Sequence, residues 1–270
     1  MNRCATCDRP EATDEQWRDV PEGERDDLCW GGPQCEAARV DWRARAMVAE
    51  GENGFSILLD GRSVRTPKKL PLIVPTRALA YAIAEEWAAQ TERIDPAAMP
   101  LSKLAITAID GVTGSMDEVA ADIVRFASSD LLCYRAEAPA ALAEIQALAW
   151  DPILRWAEAE TGARFLLAEG VMPVTQNREA LSRFGDLVAP FGAFALTCLH
   201  VMTTLTGSAF LALAVAKGRL TAEEAWNAAH LDEDWQIARW GVDVEAAERR
   251  AHRHAEMLAA SRFLQLLSAA

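Results

Sequence analysis

The chain has 270 residues, of which 51% are hydrophobic and 25% are charged, and its formal net charge is -13. This length is sufficient to bury a core in one or two domains. The excess of acids argues against nucleic acid and against an anionic membrane surface as general partners, because both are themselves negatively charged, and it favours a basic or apolar protein partner.

Residues 1–41 form an acidic segment with a composition of its own. Its eleven acids and five arginines match neither a signal peptide nor an Arg-rich transit peptide, so we expect a protein of the cytoplasm. The segment carries four of the six cysteines of the chain, Cys4, Cys7, Cys29 and Cys35. Two thiolate pairs suit a tetrahedral zinc ion, which would supply folding energy that so short a segment cannot obtain from burial. Because the second pair has the wide Cys-x5-Cys spacing, unused thiols and a redox pair remain as alternatives.

Residues 42–74 have the pattern of β-strands. Extended runs are predicted at 42–49, 55–59, 62–66 and 70–74. Asp60-Gly61 lies between the second and third runs and is a preferred two-residue hairpin turn, so these two strands should pair antiparallel. Thr76 follows the last strand and is expected to cap a helix.

The rest of the chain is mainly helical in pattern. Helices are predicted after Thr76 and at 99–110, 115–128, 140–160, 178–189 and 245–267, with a short strand or linker at 131–134 and an extended segment at 163–174. Ser115-x-x-Glu118 should cap the helix at 115–128. We therefore predict an α+β protein with a short Cys-containing extension at 1–41, a β-rich N-terminal domain at 42–134 and an all-α, helical-bundle C-terminal domain at 135–270.

The stretch 187–216 contains no charged residue apart from a protonated His200. Residues 191–216 are long enough to span a bilayer. Their middle is polar, however, and these side chains would lie at the most costly depth of a membrane: His200, Thr203, Thr204, Thr206 and Ser208. The pattern instead predicts two buried helices that are broken near Gly207, without membrane insertion.

The acidic stretch 221–241 is expected to be one helix, which begins with a Thr221-x-x-Glu224 capping box and ends at Gly241. Helical spacing places five of its residues on one line, namely Trp226, His230, Glu233, Ile237 and Trp240. Asp232 falls on a separate polar line that water can cover. Glu233 therefore lies among apolar neighbours, and it is either an acid at the rim of the core that pairs with an arginine or an acid that binds a partner. His230-x-x-Glu233 also has the spacing of half a metal site, but the sequence contains no second pair of this kind.

A series of short motifs runs through the chain between residues 42 and 267. In order they are GFSILLDGR at 54–62, RTP at 65–67, LIVPT at 72–76, EW at 86–87 with Gln90, MPL at 99–101, TAID at 107–110, Gln146, WDP at 150–152, LTGS at 205–208, DWQ at 234–236 and WG at 240–241. In this order the motifs resemble those of the Atp12 family of ATP synthase assembly chaperones.

The resemblance implies a protein that holds the unassembled alpha subunit of the catalytic head of ATP synthase until the alpha subunit pairs with beta. It also implies a β-rich N-terminal domain followed by a helical bundle, and a location in the mitochondrial matrix for eukaryotic relatives. The functionally important acid of the family matches Glu233 best, which makes the line of five residues the expected partner-binding surface. Residues 1–41 depart from the family pattern.

Two other functional classes were weighed against a chaperone. A hydrolase or transferase would be expected to show a nucleophile elbow, a phosphate-binding glycine loop or a His/Glu zinc motif, and the sequence contains none of these. A zinc-dependent regulator that reads nucleic acid would use residues 1–41, but nucleic-acid modules are normally basic and this segment is acidic. We therefore expect a binding protein that is not an enzyme and that needs no cofactor for its chaperone role.

Overall fold

The computed structural model describes residues 46–91, 94–170 and 172–269. The predicted zinc ligands Cys4, Cys7, Cys29 and Cys35 lie outside the described residues, as does the start of the first predicted strand. Within the described ranges a small antiparallel sheet comes first and is followed by a largely helical part, so the α+β class is confirmed for this portion of the chain.

The sheet is built around one central strand. Its strands are β1 (Ala46–Gly51), β2 (Gly54–Leu59), β3 (Arg62–Ser63) and β4 (Ile73–Val74), and β2 pairs antiparallel with each of the others. The predicted hairpin turn is confirmed, because Leu59 pairs with Arg62 and both Asp60 and Gly61 have positive φ angles, of 50° and 77°. The third and fourth strands are shorter than predicted. Proline cannot donate to a ladder, and the segment between them contains Pro67 and Pro71.

Ten α-helices follow within the described ranges. They are α1 (Arg77–Ala88), α2 (Pro100–Asp110), α3 (Met116–Ser128), α4 (Ala140–Thr161), α5 (Arg178–Val188), α6 (Ala193–Thr206), α7 (Ala209–Ala216), α8 (Ala222–Ala229), α9 (Leu231–Trp240) and α10 (Val244–Ser268). Two short strands, β5 (Tyr134–Arg135) and β6 (Ala168–Glu169), pair in parallel across α4. The 3₁₀ turns are Pro96–Ala98, Val112–Gly114 and Leu131–Cys133.

The two predicted caps in the first half of the chain have different outcomes. Thr76 caps α1 as expected, since its hydroxyl accepts from Leu79 N at 3.3 Å. Ser115 precedes α3 without capping it through its side chain, because its hydroxyl donates instead to the carbonyl of Gly111 at 2.9 Å. The capping box expected with Glu118 is therefore wrong.

The uncharged stretch forms the interior pair α6 and α7. Gly207 separates them in the left-handed conformation, with a φ of 67°, so the predicted break is confirmed. Every residue of α7 from Ala209 to Val215 is buried. No helix within the described ranges is long and apolar enough to cross a membrane.

One buried cluster unites the described parts of the chain. It includes Ile57 from the sheet, Leu79 from α1, Trp150 from α4, Phe210 from α7 and Phe263 from α10. Helices on both sides of the predicted boundary near residue 135 contact each other, notably α3 with α6 and α1 with α10. The hydroxyl of Thr76, for example, donates to the carbonyl of Leu266 at 2.8 Å. The division into two domains stays a prediction.

Several of the sequence motifs hold helix ends in place. Glu86 accepts from Leu101 N at 2.7 Å and from Ser102 N at 2.8 Å, which satisfies free amides in the first turn of α2. Asp110, at the other end of α2, accepts from the hydroxyl of Thr66 at 2.6 Å and from Lys68 N at 3.1 Å. These motif residues therefore have a structural role at the two ends of α2.

Candidate functional site

The predicted acidic helix is divided into α8 and α9. The Thr221 and Glu224 capping box at its start is confirmed, since both reciprocal hydrogen bonds are present. A continuous helix over 221–241 is wrong, because the chain breaks at His230. His230 leaves the helical conformation, with a φ of -107° and a ψ of 18°, and close to this break the carbonyl of Ala228 accepts from Trp150 Nε1 at 2.8 Å.

The break at His230 does not end the helical direction. His230 N donates to the carbonyl of Trp226 at 3.1 Å, and the carbonyl of His230 accepts from Asp234 N at 2.9 Å. The two short helices therefore follow one another closely, and most of the predicted line of residues faces the same way.

An open groove of about 650 Å³ lies between α9 and the N-terminal half of α10. Four of the five predicted residues line it, namely Trp226, Glu233, Ile237 and Trp240. The other lining residues are a mixture of charged, polar and apolar ones: Asp234, Gln236, Gly241, Val242, Asp243, Ala246, Ala247, Arg250, Ala251 and His254. The structure thus brings the predicted partner-binding residues to one concave surface, with the exception of His230.

His230 lies under the groove and is 7% exposed. Its ring stacks on Trp226 with the centroids 3.7 Å apart, and its Nδ1 is 2.9 Å from the carbonyl of Trp226. Burial lowers the pKa of His230, so the ring is neutral at neutral pH. The residue braces Trp226 from the core side and does not offer a charge to a partner.

Glu233 is half-exposed and loosely paired. Its Oε2 lies 3.8 Å from Arg250 Nε, and its side chain is 41% exposed. Arg250 pairs more closely with Asp234, because its Nη1 donates to Asp234 Oδ1 at 2.5 Å. That hydrogen bond is the main reason that the pKa of Arg250 is raised. Among the described residues none donates a hydrogen bond to Glu233, so its carboxylate has free acceptor positions that face the groove.

The end of α9 and the start of α10 form an apolar rim beside these acids. Trp240, Val242 and Val244 are 78%, 64% and 72% exposed. Large apolar side chains that are grouped and exposed mark surfaces where a protein binds a partner. The groove therefore combines an apolar rim with three carboxylates, those of Glu233, Asp234 and Asp243.

Asp232, which the sequence pattern places on a line that water can cover, is partly buried and makes a hydrogen bond within the protein. Its Oδ1 accepts from Gln146 Nε2 at 2.7 Å, and Gln146 Oε1 accepts in turn from Ala136 N at 2.8 Å. Gln146 is buried, so this chain of bonds ties α9 to α4 and to the segment before α4. Asp232 is thus a structural acid, although it is adjacent in sequence to Glu233.

Arg250 is the residue of the groove that sequence reasoning missed. A signal for it exists, because Asp243, Ala247, Arg250 and His254 follow one another at steps of four, three and four along α10. That spacing places them on one face of a helix, but only the tertiary structure shows that this face lies opposite Glu233.

The half metal site suggested by His230 and Glu233 is not completed. Within 46–91, 94–170 and 172–269 no group of three or more His, Cys, Asp or Glu residues could hold a metal ion.

Comparisons with known proteins agree on one family. A family model described as ATP12 chaperone protein matches residues 40–158. The crystal structure of the Atu1473 protein from Agrobacterium tumefaciens is 52% identical with a TM-score of 0.80, over 83% of this chain and 84% of that chain. The crystal structure of Atp12 from Paracoccus denitrificans is 43% identical with a TM-score of 0.79, over 84% of this chain and 100% of that chain. The mitochondrial protein atp12 of Schizosaccharomyces pombe is 25% identical over 228 residues, which cover 80% of this chain and 78% of that protein.

Proposed function

Because the chain belongs to the ATP12 chaperone family, we propose that it is an assembly chaperone that holds the unassembled alpha subunit of ATP synthase until the alpha subunit pairs with beta. The observation that carries this proposal is the groove between α9 and α10, where the loosely paired carboxylate of Glu233 lies beside an exposed apolar rim. A subunit awaiting assembly exposes apolar surface, and a chaperone has to cover it.

The docking surface consists of Glu233, Ile237 and Trp240, with Trp226 as the floor and His230 as its support. Aromatic side chains that become buried at the centre of an interface contribute much of the binding energy, and a large apolar side chain contributes about 1.5–3 kcal/mol on full burial. Trp240 has this capacity because it is largely exposed in the free protein. Glu233 adds selectivity, since a partner that buries it has to supply a hydrogen-bond donor.

The proposed function also implies a cellular location and a protein that binds a partner and does not catalyse a reaction. The acidic charge of the chain suits a cytoplasmic protein whose partner is a protein and not a nucleic acid or a membrane. The described residues of the groove include no nucleophile paired with a base, so the groove fits binding better than a hydrolase or transferase reaction.

Size-exclusion chromatography of the full chain with isolated alpha subunit tests the function. We expect a complex of the two proteins that forms with alpha alone and is displaced when beta is added. Absence of the complex, or steady ATP hydrolysis by the pure chain, would contradict the proposal.

We also propose, from the sequence alone, that Cys4, Cys7, Cys29 and Cys35 bind one zinc ion. Elemental analysis of protein purified without chelator should give about one zinc per chain, the stoichiometry of a four-thiolate site. Cys7→Ser and Cys35→Ser should each remove the metal. Cys198→Ser is the control, because this cysteine is buried in the helical core. Zinc that persists in both variants would refute the site.

A further inference from the structure

Arg250 already occupies part of the groove that the proposed function assigns to the alpha subunit. It lies on the α10 wall with 20% of its side chain exposed, and it faces Glu233 and Asp234 on α9. Its bond to Asp234 is short, at 2.5 Å, whereas its nearest approach to Glu233 is 3.8 Å. One arginine therefore balances two acids unequally.

The other charged residues of the groove do not compensate the negative charge of Glu233. Asp243 adds a third acid, and its Oδ1 accepts from Ala246 N as the cap of α10. His254 is engaged outside the acid pair, because its Nε2 lies 2.9 Å from Glu223. The lining thus remains negative with Arg250 in place, and Glu233 is the acid with the weakest compensation.

A partner that covers the groove removes water from Glu233. A buried carboxylate without close donors is unfavourable, and Arg250 is held at a distance by Asp234. The donor therefore has to come from the partner. A guanidinium or ammonium group satisfies this need best, because its charge also complements the acidic lining, while the exposed Trp240 and Val242 require apolar neighbours on either side of it.

We infer that the groove accepts a segment of the alpha subunit in which an arginine or lysine is flanked by apolar side chains, and that Arg250 is an internal counter-ion that competes with this residue for Glu233 and Asp234. This inference rests on the proposed function. Arg250 reduces the negative charge of the groove while the groove is empty, and the same positive charge repels the incoming cation. Removal of Arg250 therefore tightens binding.

The test is isothermal titration calorimetry of the full chain with isolated alpha subunit, at low and at high salt. Arg250→Gln should bind alpha about three- to tenfold more tightly at low salt, and the gain should shrink at high salt because these charges are partly exposed to solvent. Arg250→Lys keeps the charge and should tighten binding less. Arg249→Gln is the matched control, since Arg249 is the neighbouring arginine on α10, pairs with Glu245 and lies outside the groove lining.

Stability of each variant is measured in parallel. If Arg250→Gln lowers the melting temperature, Arg250→Met replaces it, because a methionine retains the packing of the arginine stem without the charge. Affinity equal to or below that of the original chain, in a folded variant without the Arg250 charge, overturns the inference.

The chemistry of the occupant is tested separately by a photo-crosslinking residue at position 240. Mass spectrometry should locate the crosslink in a segment of alpha with a basic residue between apolar ones, and an acidic or wholly polar segment would refute the inferred occupant.

Failure of the proposed function is distinguishable from failure of the inference. If Glu233→Gln leaves the affinity for alpha unchanged, the docking site itself is wrong; if Glu233→Gln weakens binding but Arg250→Gln does not tighten it, only the role of Arg250 is wrong.

Discussion

The N-terminus of α7 and the groove beside α9 each contain an acid next to a helix, and the two acids have opposite surroundings. Asp130 is fully buried, and its two oxygens accept from Leu132 N at 3.1 Å and from Phe210 N at 3.2 Å. Glu233 is half-exposed and no described residue donates a hydrogen bond to it. Both carboxylate oxygens of Asp130 therefore accept hydrogen bonds within the protein, whereas those of Glu233 can still accept hydrogen bonds from a partner. Substitutions at the first site should change stability, and substitutions at the second should change binding.

The largest effect is expected for Asp130→Ala. Two buried amides would lose their acceptor, and each unsatisfied donor costs about 1–3 kcal/mol, so the free energy of unfolding should fall by about 2–6 kcal/mol. Denaturant unfolding measures this change. Asp186→Ala, at an exposed acid on α5, is the control and should change stability by less than about 0.5 kcal/mol. Equal effects in the two variants would show that Asp130 is not a structural acid.

The same buried acid predicts a dependence of stability on pH. Burial raises the pKa of Asp130 from 3.8 to about 7, against the opposing hydrogen bonds from Ser208 and the backbone. The folded state therefore holds a proton that the unfolded state releases between pH 4 and 7. Protonation of Asp130 therefore adds up to about 4 kcal/mol to the free energy of unfolding. This stabilisation is fully present below pH 4 and is lost as the pH rises through 7.

Asp130→Asn isolates that contribution, because asparagine does not titrate. The free energy of unfolding of the original chain, taken relative to the variant, should be higher at pH 5 than at pH 8. A difference that stays constant across this range would mean that Asp130 titrates normally in the folded protein.

Glu233→Gln should have the opposite profile. The substitution removes a charge-assisted hydrogen bond to the partner, which lowers the affinity for isolated alpha subunit by about 1.5–3 kcal/mol. The melting temperature should hardly move, because the pair with Arg250 is long and half-exposed. Glu248→Gln, at an exposed acid on α10, serves as the control for the loss of one charge. A large fall in melting temperature with unchanged affinity would place Glu233 among the structural acids.

Asp232→Ala is expected to contrast most clearly with Glu233→Gln, because Asp232 and Glu233 are neighbours in sequence but have different hydrogen-bond partners. Loss of the acceptor for Gln146 should lower the free energy of unfolding by about 0.5–1.5 kcal/mol and leave the affinity for alpha nearly unchanged. Calorimetric melting and titration on the same sample measure both quantities. If Asp232→Ala impairs binding more than Glu233→Gln does, the assignment of roles within the acidic stretch has to be reversed.

Short-range rules predicted those parts of the structure that neighbouring residues determine. The turn at Asp60-Gly61, the cap at Thr76, the break at Gly207 and the capping box at Thr221 each depend on backbone preferences within about four residues, and all four are present. Helical spacing also aligned Glu233, Ile237 and Trp240, which the structure places in one groove, although the groove itself was not predicted.

The failed cap at Ser115 has a local cause, because its hydroxyl donates to the carbonyl of Gly111. The differences in the acidic stretch involve distant residues. Trp150 donates to the carbonyl of Ala228 close to the break in the predicted helix, and Gln146 donates to the carboxylate of Asp232. Arg250 reaches Glu233 from another helix. Periodicity within one segment contains no information about partners that are 16 to 86 residues away in sequence.

The position of α10 at the end of the described chain has a consequence for synthesis. This helix supplies one wall of the groove with Arg250, and it also supplies Met257 and Phe263 to the core. The ribosome synthesises α10 after every other described element. A nascent chain therefore contains the residues of the sheet and of the interior helices before it contains those that complete the core and the groove. If the groove is the docking surface for the alpha subunit, we expect a chain that lacks α10 to be unable to bind it.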